Sequence, residues 1–247
     1  MLINFKRREL AEGEHGLAVW KSVEEKKEVP LASSALILCD VWDDHHASGA
    51  VIRLNELLPK MERFVKFMRD NGAFIIHAPS DTMDFYADTP ARKRMACFKN
   101  AEPAVVNDIR DVKRPVDASD GGDDSFADPR ESRRVWTRQN PVISIDMEAD
   151  GISDDGAEVY GYLKNAGINR VFIMGVHTNM CIMDRPFAIR NLVRWGFETA
   201  LARDLTDLMY NPARAPYVSH EEGLALTIGY IEKFWCPTVA AEEIMYK

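Results

Sequence analysis

The stretch RVFIMGVHTNMCIMDRPFAIRNLVRWG, residues 170 to 196, constrains the fold of this chain more than any other. An apolar run from Val171 to Met174 ends in Gly175, and a polar turn follows, Val176 His177 Thr178 Asn179. Cys181 then opens a segment in which Ile182, Met183, Phe187, Leu192 and Val193 recur at helical spacing. A short β-branched and aromatic run closed by glycine reads as a buried strand, and the next segment as a crossover helix. Pro186 implies that this helix begins as one short turn and restarts near the proline. Cys181 is thus expected at the carboxyl end of a strand and the amino end of a helix. Open α/β sheets place their ligands there, and unpaired helix N–H groups favour a thiolate.

A cysteine under a helix is more often a packing residue, so a second element must carry the site. That element is ALILCD, residues 35 to 40, a buried strand ending on the carboxylate of Asp40. Downstream, residues 52 to 71 carry Leu54, Leu57, Leu58, Met61, Phe64, Val65 and Met68 at helical spacing, with Pro59 predicting a kink or two helical pieces. Asn71-Gly72 stops the helix, and AFIIHAPS forms the next strand, ending at His77 and Pro79. A strand, helix and strand in this order imply a parallel pair with a right-handed crossover.

Residues 80 to 133 break the rhythm and read as a long excursion, a lid or a solvated loop. Its acidic run, Asp117, Asp120, Asp123 and Asp124, lacks the spacing and closing Glu of a calcium loop. RVWTRQ, 134 to 139, reads as a further strand. The segment from 152 to 168 reads as a helix capped by Ser153, FETALARD as the last strand, and the pattern after Ser219 as a closing helix. Residues 1 to 34 read as an extended arm or added edge strand. The whole, 1 to 247, is expected to form one domain, a three-layer α/β/α sandwich around a mostly parallel, Rossmann-like sheet.

Charge and cysteine usage narrow the function classes. The balance of 31 basic and 39 acidic residues, net −8, and the lack of a basic stripe argue against a nucleic-acid surface. No apolar run approaches the roughly 18 residues of a membrane span, and the N-terminus has no apolar signal core. Four cysteines without a C-x-x-C pair form neither a disulfide framework nor a zinc pattern. The expectation is a cytoplasmic protein with a small-molecule substrate, without nucleic-acid or membrane partners.

Cysteine catalysis needs a proton acceptor and donors for the developing oxyanion. Asp40 suits the first role, and the N–H groups of the turn 177 to 181 the second. Arg138 would hold a thiolate by charge but cannot shuttle protons. Trp42, His45 and Tyr86 are candidate pocket walls for a flat or cyclic substrate. A Cys–His pair with His177, His45, His46 or His77 is the alternative. A metal at Asp43, His45 and His77 is a weaker reading, because adjacent histidines point apart in extended chain, and no cofactor is expected.

Three segments resemble the isochorismatase-like cysteine hydrolase superfamily, which includes nicotinamidase-related amidohydrolases. ALILCDVWDDHH is similar to its first strand, RVFIMGVHTNMCIMD to its nucleophile turn, and FETALARDLTD to the strand that follows. The resemblance implies Cys181 as nucleophile and Asp40 as proton-transfer acid. It also implies a cis peptide at Val176–His177 and an oxyanion hole from the backbone N–H groups of His177 and Cys181. The family's lysine has no counterpart in WTRQNPVIS; Arg138 stands near its place. The nicotinamidase metal triad has no match after AFIIHAPSD. The implied activity is hydrolysis of a small amide or related C–N carbonyl compound through a thioester. The alternatives are vinyl ether hydrolysis centred on Asp40, and a non-catalytic binding protein on the same fold. Oligomers are common in the superfamily, and a homo-oligomer is expected, with the excursion and the C-terminal IEKFWCPTVAAEE as its surfaces.

Overall fold

The structure is a computed structural model that describes residues 1–118 and 134–246. Asp120, Asp123 and Asp124 of the acidic run lie outside the described residues. The chain opens with a long hairpin, β1 (Leu2–Glu12) and β2 (Ala18–Glu28), followed by β3 (Ser34–Cys39), α1 (Ser48–Asp70) and β4 (Phe74–Ala78). The excursion supplies α2 (Met83–Tyr86) and α3 (Pro90–Ala96), and the chain returns through β5 (Gly151–Ile152), α4 (Gly156–Asn165) and β6 (Arg170–Val176). Two short helices, α5 (Cys181–Asp184) and α6 (Ile189–Arg194), lead to β7 (Glu198–Asp207), α7 (His220–Phe234), β8 (Thr238–Val239) and α8 (Ala241–Met245).

These strands form one eight-stranded sheet in the order β2-β1-β8-β7-β6-β3-β4-β5. The pairs from β8 to β5 are parallel, and only the hairpin joins antiparallel. The central strands are buried on both faces, so their side chains alternate between two cores. Leu36, Leu38, Phe172 and Met174 pack under α1 and α8. Ala35, Ile37, Val171 and Ile173 pack under α3, α4, α6 and α7. A near-continuous apolar run is what a parallel sheet covered on both faces requires, and the result is a three-layer α/β/α sandwich. Among the described residues, no helix is long and apolar enough to cross a membrane.

Three local expectations change. Helix α1 runs unbroken through Pro59. The proline sits on the exposed face, where water can serve the carbonyl left without an N–H partner. Residues 134 to 139 form no strand; one antiparallel bridge joins Gln139 to Trp42, and the strand beside β4 is β5. The cap of α4 is Asp155, which accepts the Glu158 N–H, while Ser153 donates its hydroxyl to the Glu158 carboxylate. At the C-terminus Trp235 is core, and Phe234 packs edge-on against Trp20 of the hairpin.

Register decides what meets at the sheet's carboxyl edge. Cys39 pairs with Gly175, so the residues after β3 and β6 emerge side by side. Gly175 has φ +118°, and a Cβ there would overlap the carbonyl oxygen of Cys39. Gly175→Ala is therefore expected to cost about 4 kcal/mol, because both backbone strain and a main-chain clash must be absorbed. Thermal melting should show a fall in Tm of about 10 °C.

Candidate active site

Asp40 is the first residue past β3 and is fully buried. Its backbone is left-handed, φ +51°, which turns the carboxyl group across the strand ends. One carboxylate oxygen accepts the Ser80 N–H at 2.9 Å, from the chain leaving β4. The other accepts Nε of Arg185 at 2.7 Å. The Cys181 side chain, at the start of α5, adjoins the same carboxyl group.

Cys181 reaches Asp40 because the turn after β6 folds tightly. The Val176–His177 peptide is cis. Thr178 anchors the turn to the end of β7, with its N–H and hydroxyl both on the Asp207 carbonyl at 2.7 Å. Asn179 is held by Met209 through its side-chain amide, donating at 2.7 Å and accepting at 3.1 Å. The His177 main chain lies beside the Cys181 thiol and favours its ionised form. Cys181 itself opens α5, so its N–H has no partner within that helix.

The thiol's protonation state departs from the sequence expectation. Helix α5 is a single turn, and α6 does not start until Ile189, so little helix dipole acts on Cys181. Burial, together with the Asp40 charge, pushes the Cys181 thiol up despite the Arg185 guanidinium. Burial also pushes Asp40 above the usual carboxylate range, with Arg185 and the hydrogen bonds from Cys181 and Ser80 opposing it. Burial thus favours the neutral thiol on Cys181, while Arg185 and the Ser80 N–H favour the ionised form of Asp40.

The structure separates Arg138 from this pair. It lies exposed on a loop, its guanidinium 5.5 Å from the centre of the Phe85 ring, and its main chain pairs with Asp43. Instead Arg185 supplies the positive charge beside Asp40. Spacing could have shown it, since residues four apart on a helical turn share a face and Arg185 is four beyond Cys181. The sequence reading also missed Ser80 and Trp136.

A narrow pocket beside the pair is lined by Asp40, Trp42, His45, Asn55, Asn140 and His177. Trp42 donates its indole N–H to the Ser80 carbonyl at 3.1 Å, and Trp136 stacks on Trp42 with ring centres 4.1 Å apart. His45 lies parallel to Trp136 at 5.6 Å. Tyr86 lies away from this pocket, packed on Ala91 and Ile152, with its hydroxyl accepting the Gln139 N–H. Burial, with His177 and His46 nearby, pulls His45 down to about 3. His177 falls to about 4, chiefly through burial. Both rings are neutral at neutral pH, and His177 meets the thiol through its main chain. That geometry gives no Cys–His ion pair.

His77 is fully buried, with its ring nitrogens 2.9 Å from Gln139 and 2.9 Å from Asp150. Asp150 is also clasped by Arg69. Asp43 accepts the Thr137 N–H and hydroxyl. Among the described residues, no group of three or more His, Cys, Asp and Glu is placed to hold a metal ion. A larger cleft, about 470 Å³, opens where the hairpin passes the starts of β6 and β7; Arg7, Glu25, Lys27 and Arg170 line it, and neither Asp40 nor Cys181 does.

No protein-family model matches the sequence, and no curated protein matches it. Solved structures do match. A cysteine hydrolase from Pseudomonas syringae pv. phaseolicola 1448A superimposes with a TM-score of 0.55 at 12% identity, over 88% of this chain and 92% of that one. A candidate isochorismatase from Burkholderia xenovorans LB400 gives 0.52 at 16% identity, over 86% of each chain. At such identities the likeness is one of fold.

Proposed function

We propose that this chain, which carries the isochorismatase-like fold, hydrolyses a small amide or related C–N carbonyl compound through a thioester on Cys181. The observation that carries this reading is the buried Asp40 carboxyl group beside the Cys181 thiol at the start of α5, bound by Arg185 at 2.7 Å and by the Ser80 N–H at 2.9 Å. The thiol proton passes to Asp40 as the sulfur attacks the carbonyl carbon, so a neutral resting thiol suits the step. The His177 and Cys181 N–H groups receive the oxyanion. Asp40 then gives the proton to the departing nitrogen as the C–N bond breaks. Water attacks the thioester, its proton passes to Asp40, and the sulfur leaves and recovers that proton as a thiol. Trp42 and His45 favour a flat or cyclic substrate. Four free cysteines suit a reducing compartment such as the cytoplasm.

The test is adduct trapping. The protein is incubated with a panel of small amides and quenched in acid, and its peptides are read by mass spectrometry. An acyl group on Cys181 alone, appearing with turnover and decaying as substrate is spent, is the expected result. Turnover without an adduct, most of all on a vinyl ether, would move the chemistry to Asp40. The raised Asp40 favours that second reading, because a carboxylic acid can protonate an enol ether carbon.

A further inference from the structure

We infer that Arg185 is the positioning cation of this site, holding Asp40 as the carboxylate that takes the Cys181 proton; this rests on the proposed nucleophile reading. The cation comes from the nucleophile's own helical turn. The Arg185 N–H bonds the Cys181 carbonyl at 3.1 Å, closing α5, and the side chain crosses to Asp40 at 2.7 Å. The charged groups around Asp40 are few. Arg185 faces it from the end of α5, Cys39 precedes it on β3, and Cys181 adjoins it from the start of α5. Asp81, past β4, lies 3.7 Å from the same guanidinium. Among the described residues, Arg185 is the positive group that acts on the pair, and it also stands 5.7 Å over the Trp42 ring at the pocket wall.

The geometry has a chemical consequence. A guanidinium stays charged throughout the cycle and cannot donate a proton. All proton transfer then falls to Asp40, which must be a carboxylate when the thiol gives up its proton. Without Arg185, the charge that opposes burial at Asp40 and at the thiol is gone, and both are pushed further up. Arg185 serves by keeping the carboxylate ionised and aimed at the sulfur.

The experiment follows alkylation of Cys181 by iodoacetamide between pH 5 and pH 10, read by mass spectrometry on the full chain. Wild type is compared with Arg185→Ala, Arg185→Gln, Arg185→Lys and Arg138→Ala, with circular dichroism to check folding. Because Asp40 takes the thiol proton, the midpoint reports Asp40, and Arg185→Ala and Arg185→Gln are expected to move it to higher pH and to slow alkylation at pH 8 by about tenfold or more. Arg185→Lys keeps the charge and is expected to bring the midpoint at least halfway back, which a purely structural ion pair would not require. If Arg185→Ala does not fold, Arg185→Gln carries the same criterion. A folded Ala or Gln variant with an unmoved midpoint overturns the inference while leaving the nucleophile reading standing, and so does a shift produced by Arg138→Ala alone. Amide turnover by wild type without an acyl adduct on Cys181 overturns both.

Discussion

Replacing Cys181 with alanine is expected to lower turnover of any amide the protein accepts by about 10,000-fold or more, the scale seen when a covalent nucleophile is removed. No neighbouring group can take over. Cys39 adjoins Asp40 but is fully buried, and burial holds its thiol far up. The Thr178 hydroxyl is committed to the Asp207 carbonyl and lies 2.7 Å from the Thr206 hydroxyl. What remains in the variant is the pair of N–H groups and the Asp40 carboxylate, enough to bind and polarise a carbonyl without a thioester. Single-turnover kinetics on the substrate found by trapping, run beside an adduct search, would check this. Persistent turnover in Cys181→Ala would end the covalent mechanism and leave Asp40 at the centre of the chemistry.

Asp40→Asn is expected to cost about 1,000-fold in kcat/KM while slightly raising Tm. The activity loss follows from removing the one group that can accept the thiol proton and return it to the leaving nitrogen; such acid–base roles contribute about 100- to 10,000-fold. The stability gain follows from linkage. Burial raises the folded-state pKa of Asp40 above its unfolded value. Its protonated form therefore stabilises the fold fully at pH below the unfolded value. That contribution is lost as pH rises through the raised folded value. At neutral pH the carboxylate is a liability, which a neutral amide removes. Asparagine also tolerates the left-handed backbone at this position. The same raised value sets the wild-type acid limb: kcat/KM should fall as pH drops through it, above the ordinary carboxylate range. A variant that loses Tm in proportion to activity would mean that Asp40 serves the fold. Differential scanning calorimetry and a pH–rate profile separate the two outcomes.

The part of this site that sequence could determine is the part encoded locally. A buried apolar run ending in an acid, and another ending in glycine and a turn before a cysteine, specify two parallel strand ends, because burial on both faces demands such runs and Gly175 must admit the Cys39 carbonyl. The interruption at Pro186 likewise follows from the proline's missing N–H. The cation was not legible. Position 138 was reached by reading 134 to 139 as a strand, but Trp136 there stacks on Trp42, and Arg138 turns outward over Phe85. Arg185 meets a carboxylate 145 residues earlier in the chain, a distance that only the register of β3 against β6 closes. The state of the thiol was hidden for a related reason. The position of Cys181 at a helix start is local, but its burial and the Asp40 charge come from other strands. Desolvation and like charge on the pair outweigh a one-turn helix dipole. Sequence thus determined which residues stand at the strand ends; the packed sheet decided which of them meet and which form of each is stable there.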